Sequence, residues 1–134
     1  MLVNRIDHIG IAVSNIDRAL KFYTETLGLK LKSIEIIREH EVKTAIIQIG
    51  ESKIELLEST SPEGAIGKFI EKKGEGLHHL ALEVTDIREA LEELKNKGIT
   101  MIDKTPRIGA ENSSIAFVHP RESTVLLELL ELPK

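Results

Sequence analysis

The sequence predicts an α+β fold made of two copies of one βαβββ module, and three observations carry that prediction. First, Asp7-His8-Ile9-Gly10-Ile11-Ala12-Val13 returns in related form as Leu77-His78-His79-Leu80-Ala81-Leu82-Glu83-Val84. Both runs alternate strictly, which reads as a half-buried strand. Ile9, Ile11 and Val13 share one face and His8, Gly10 and Ala12 the other; in the later run Leu80, Leu82 and Val84 oppose His79, Ala81 and Glu83. Second, each run leads into a cap residue and a stripe of apolar residues at helical spacing. Third, a shift of 71 positions carries His8 onto His79, Val13 onto Val84, Ile16 onto Ile87, Ala19 onto Ala90 and Leu20 onto Leu91. A repeat of that length is a pair of modules rather than a short-repeat array. Each histidine heads a face otherwise lined by small residues, with room above it.

Taken in order, Ser14-Asn15 offers an N-cap, and Ile16, Ala19, Leu20, Tyr23 and Leu27 form a helical stripe that Gly28 stops. Residues 29–39, 42–49 and 53–58 read as strands, the last two joined by the turn Gly50-Glu51-Ser52. The turn-rich stretch Ser59-Thr60-Ser61-Pro62-Glu63-Gly64 leads to a short helix over residues 65–72. In the second copy Thr85-Asp86 is the cap, Ile87, Ala90, Leu91 and Leu94 the stripe, and Gly98 the stop. Strands over residues 99–102, 114–118 and 123–131 complete it. Glu55 aligns with Glu128 at an offset of 73, so the second copy carries two extra residues, which fit the turn Pro120-Arg121-Glu122. The modules thus occupy about residues 1–59 and 76–134 of a single domain spanning 1–134.

With 134 residues, 41% hydrophobic and 30% charged, the chain is long enough for one real core. A net charge of −4 argues against a nucleic-acid binder, which needs a basic face. There are no cysteines, which excludes disulfides and thiolate chemistry. The N-terminus enters a strand pattern without an apolar leader, and no run approaches a membrane span. A cytoplasmic enzyme or binding protein for a small molecule is expected.

Glu128 is the residue least at home in its surroundings, set between Leu126-Leu127 and Leu129-Leu130 in what reads as a buried strand. A buried carboxylate without a partner costs several kcal/mol or becomes protonated, so something should compensate it. Glu55 sits in a similar, less apolar setting. A lone strand histidine is ordinarily structural, and a lone Glu55 would be a surface residue. Two histidines and two carboxylates at repeat-related positions instead make a symmetric ligand set. Imidazole plus carboxylate suits Zn, Fe, Mn, Co or Ni. His78 faces away from His79; His40 lies by a loop and His119 precedes Pro120, so these three read as non-ligands.

Six stretches carry a resemblance: the two histidine strands, Lys53-Ile54-Glu55-Leu56-Leu57, Arg107-Ile108-Gly109-Ala110, His119-Pro120 and Val125-Leu126-Leu127-Glu128-Leu129. In these the chain resembles the vicinal oxygen chelate (glyoxalase/dioxygenase) superfamily and, within it, the methylmalonyl-CoA epimerases. The resemblance implies paired modules curled into a cup-shaped mixed sheet around one divalent metal, held by His8, Glu55, His79 and Glu128. It implies Co2+ as the active ion, with Mn2+, Ni2+ or Zn2+ as alternatives, an acyl-CoA substrate and a homodimer. By the same resemblance Glu39 is a catalytic base and Glu128 both ligand and second base. The sequence departs from the family where Glu41 replaces a usual glycine, where Glu111-Asn112-Ser113 replaces His-Gly, and where Ser123-Thr124 replaces glycines before the last strand.

Epimerisation of a malonyl thioester removes the α-proton and returns it to the other face, so it needs two bases and a cation for the developing oxyanion. Lys68, Lys72, Lys73, Lys104, Arg107 and Arg121 are candidates to receive the coenzyme A phosphates. Two alternatives remain: a glyoxalase I-type lactoylglutathione lyase, which uses an equivalent ligand set, and a binding protein of the same fold without catalysis.

Overall fold

Both histidine runs are strands, and each begins earlier than its alternation suggests. The computed structural model describes residues 1–134. β1 is Val3–Ala12 and β5 is Gly76–Val84. Eight strands and four helices give the expected mixed α+β class. The chain divides into two units, His8–His78, and Met1–Asp7 with His79–Lys134.

In the unit His8–His78 the strand order is β2-β3-β4-β1, with β2 Lys30–Ile37, β3 Val42–Ile49 and β4 Ser52–Ser59. β1 runs parallel to β4, with His8 opposite Lys53 and Gly10 opposite Glu55. β3 is antiparallel to both neighbours and sets Ile46 opposite Glu55 and Ala45 opposite Leu56. That register sorts the side chains. Ala45, Ile47 and Leu56 join Val13 and Ile16 in a core under the first helix, while Ile46 and Glu55 point to the other face. α1 (Ile16–Lys21) continues into a π-helical turn, Phe22–Thr26, so the predicted helix is present but not of one kind. α2 (Ala65–Lys73) covers Ala12 and Leu57 through Ile66. On the small-residue face of β1, His8, Gly10 and Ala12 are all buried; on the other face Ile9 is 38% exposed and Val13 is buried under the first helix.

In the other unit β5 is parallel to β8 (Leu127–Glu131), which is antiparallel to β7 (Ser114–Val118), and β7 to the short β6 (Arg107–Ile108). The first residues of β1 lie beside β5, where Thr85 N donates to Leu2 O and Arg5 pairs with Glu83 at 3.2 Å. α3 (Ile87–Asn96) packs Ile87, Ala90 and Leu91 against Val84, Ala116, Val118 and Leu129. Residues 99–102 do not form the expected strand. Met101 makes a single bridge to Val118, and the amides of Ile102 and Asp103 both point at Phe117 O, which is turn geometry rather than a ladder. Pro120–Ser123 is one turn of helix, α4, capped by His119, and Thr124 at φ 72° delays the last strand to Leu127.

The repeat extends to the helix starts. Asn15 and Asp86 cap the amides of Arg18 and Glu89 at 2.9 and 3.0 Å. The carboxylates that end the last strand of each module do the same from a distance: Glu58 accepts from Ile16 N at 2.7 Å and Glu131 from Ile87 N at 2.9 Å. Acceptors at a helix N-terminus satisfy amides that lack intrahelical partners. No helix is long and apolar enough to cross a membrane.

Candidate metal centre

Each unit contains one buried histidine–glutamate pair. In the unit His8–His78, β1 and β4 run parallel, and their stagger brings His8 Nε2 within 3.5 Å of Glu55 Oε1. In the other unit, parallel β5 and β8 bring His79 Nε2 within 3.4 Å of Glu128 Oε1. His8, Glu55, His79 and Glu128 are 4%, 5%, 3% and 4% exposed. The two pairs therefore share residue types, strand geometry, separation and burial. A buried carboxylate needs a compensating cation, and two imidazoles with two carboxylates are donors that divalent metals take. The separations agree with that use: two donors about 2.1 Å from one ion stand roughly 3.0–3.4 Å apart at octahedral to tetrahedral angles.

The remaining histidines are engaged elsewhere. His119 Nδ1 accepts from Arg121 N at 3.0 Å. His40 lies in a 3-10 turn, Arg38–His40. His78 packs edge-on against Phe69 with ring centroids 4.9 Å apart. Burial and then the neighbouring Lys73 charge lower its pKa from 6.5 to about 4. Between those values a falling pH protonates the unfolded chain but not the folded one, so stability drops across the window, by up to about 3 kcal/mol. Above pH 6.5 the effect vanishes. Urea unfolding at pH 7 and pH 5 should show this loss, and His78→Leu should flatten it.

Glu39 is exposed on the turn Arg38–His40, in contrast to the four buried residues. The turn ends at Glu41 in the left-handed conformation, φ 53° and ψ 46°. Glycine favours that backbone, yet a glutamate adopts it. Three further non-glycine residues are left-handed: Glu111 at φ 57°, Asn112 at φ 56° and Thr124 at φ 72°. At Glu41 the strained backbone is anchored: its carbonyl accepts from Thr60 N at 2.9 Å and from the Ser59 hydroxyl. Glu41→Gly should leave stability equal or up to about 1 kcal/mol higher, because relief of left-handed crowding offsets the entropy glycine loses. Glu41→Val should lose about 1–2 kcal/mol, both measured by denaturant unfolding.

Among the candidate cations, Lys68, Lys72 and Lys73 lie exposed on α2, and Lys104 and Arg121 are exposed as well. Arg107 is tied to Asp103 at 3.1 Å. Nothing in the sequence marked Asp103 or Phe117 for attention; the register that sets Phe117 opposite Glu128 is the signal that does.

The family model for the Glyoxalase/Bleomycin resistance protein/Dioxygenase superfamily matches residues 7–117. The chain belongs to this superfamily. Among similar proteins, the uncharacterized protein YqjC of Bacillus subtilis is 43% identical over 96% of this chain and 93% of its own. The mitochondrial methylmalonyl-CoA epimerase of Mus musculus is 33% identical over 95% of this chain and 72% of its own. The structure of a Streptomyces coelicolor methylmalonyl-CoA epimerase variant in complex with 2-nitronate-propionyl-CoA superposes with a TM-score of 0.94 at 36% identity, covering 98% of this chain and 96% of that one.

Proposed function

We propose that this protein is a metal-dependent methylmalonyl-CoA epimerase, working as one domain of two modules. The observation that carries the reading is the pair of equivalent buried His–Glu pairs, one in each unit, in a chain whose full-length relatives include epimerases. His8, Glu55, His79 and Glu128 would hold one divalent ion. Their donor types and burial support this. So does their place in the chain, since β1 and β5 each pass from one unit to the other at His8 and at His79.

When bound, a divalent cation supplies positive charge beside the thioester oxygen as the α-proton leaves. Glu39, exposed on its tight turn, takes that proton from one face of the substrate. Glu128 returns one to the opposite face. The two carboxylates must begin each turnover in opposite protonation states, and the reverse reaction exchanges their roles. The buried setting of Glu128 keeps water from that base, which protects the carbanion equivalent from random protonation on that face. Arg107 is engaged by Asp103, so the coenzyme A phosphates fall to Lys68, Lys72, Lys73, Lys104 and Arg121. A cytoplasmic location and a homodimer complete the reading; exposed Leu31, Ile34 and Ile36 on β2 offer apolar surface for a second copy, and sedimentation would count the chains.

Proton NMR of methylmalonyl-CoA in heavy water, with the protein loaded with Co2+ and stripped of metal, tests the activity. Loss of the α-proton signal only in the loaded sample is expected. No exchange with Co2+, Mn2+, Ni2+ or Zn2+ would remove the epimerase reading.

A further inference from the structure

The two modules place different residues beside their equivalent carboxylates. Opposite Glu55 stands Ile46, and opposite Glu128 stands Phe117. Ile46 and Phe117 are 71 positions apart, the offset that relates His8 to His79, so each is the other's counterpart. The Phe117 ring stands nearly at right angles to the His79 imidazole, with centroids 5.7 Å apart.

Phe117 is itself held at its amide, its carbonyl and its ring. Its amide donates to Asp103 Oδ2 at 2.9 Å. Its carbonyl accepts from the amides of Ile102 and Asp103 at 2.9 and 3.2 Å. The Arg107 guanidinium lies over its ring, 5.7 Å from the centroid. Arg107 is fixed in turn by Asp103, with Nε 3.1 Å from Oδ1 and Nη2 3.3 Å from Oδ2. One carboxylate therefore fixes both the backbone of Phe117 and the cation stacked on its ring. A solvated surface ion pair accounts for Arg107–Asp103 alone and contributes little. It does not account for the second bond to Phe117 N, nor for an Asp103 side chain only 14% exposed.

We propose that Asp103, Arg107 and Phe117 form a clamp that sets the ring plane of His79, and are positioning residues for that ligand in this module alone. The inference rests on His79 being a metal ligand. Residues that orient a ligating histidine before the ion arrives lower the ordering cost of binding.

The first test is metal-free: NMR of the histidine side chains in the wild type, Arg107→Ala, Arg107→Lys and Asp103→Asn. The His79 ring resonances should move in the Ala and Asn variants, return toward wild type with Lys, and leave those of His8 in place. Co2+ titration with its visible spectrum comes second. Phe117→Leu should weaken Co2+ binding about 10–100-fold and alter the spectrum. Arg107→Ala should weaken it less. Unmoved His79 resonances overturn the clamp, as do unchanged affinity and spectrum in a Phe117→Leu protein whose melting temperature alone has dropped. A wild type that binds no Co2+ overturns the metal reading instead, and the metal-free spectra still decide whether the ring is clamped.

Discussion

Alanine at His79 is expected to abolish metal-dependent exchange of the substrate α-proton while the fold survives. His79 is 3% exposed and lies 3.4 Å from the Glu128 carboxylate. Its loss removes one of four proposed donors and the partner of a buried anion. Losing a residue that merely orients a ligand costs about 10–100-fold in metal affinity, so losing the ligand itself should cost at least about 100-fold. The metal-free variant should also melt lower, because a buried carboxylate has lost its neighbour. Wild type in metal at about 100 times its dissociation constant gains about 2.7 kcal/mol, and the variant should lose that gain. Titration calorimetry with Co2+ and heavy-water NMR read both effects. His78→Ala is the internal control. Its ring packs against Phe69, so it should retain the ion, and equal losses at His78 and His79 would show a general disruption of β5.

Glu39→Gln should have an equally large effect on turnover and almost none on metal content. The residue is exposed at the end of β2, so an isosteric amide should leave packing intact. Removing one positioned base costs about 10²–10⁴-fold in proton transfer. Glu128 remains to exchange the proton on its own face, so deuterium should enter one epimer of the substrate and not the other. Ordinary two-sided exchange at wild-type rate would remove Glu39 from the mechanism.

Much of this was legible in the sequence. Strict alternation, capping residues and the 71-residue offset located both histidine strands and both capped helices, and the offset of 73 from Glu55 to Glu128 the carboxylate strands, because period and capping are local properties of the chain. What escaped reading depends on neighbours distant in sequence. The π-helical turn Phe22–Thr26 continues an unbroken apolar stripe, which carries no mark of where the hydrogen bonding changes. Residues 99–102 have the composition of a strand, yet Phe117 O takes the amides of both Ile102 and Asp103. The left-handed residues Glu41, Glu111, Asn112 and Thr124 are a third kind, since glutamate and threonine do not announce such a backbone. The side chains that share a face with the proposed ligands, Ile46 and Phe117, follow from register rather than from local pattern.

The bonds from Glu58 to Ile16 N and from Glu131 to Ile87 N bear on how the chain reaches its folded state. They join residues 42 and 44 positions apart. α1 has six residues and α3 ten, both short of the roughly 12–15 that an isolated helix needs to persist in water. Neither helix is secured until the closing strand of its own module delivers the carboxylate. Helix formation and strand closure are thus one cooperative event in each half, and during synthesis the first half cannot complete it until Glu58 has left the ribosome.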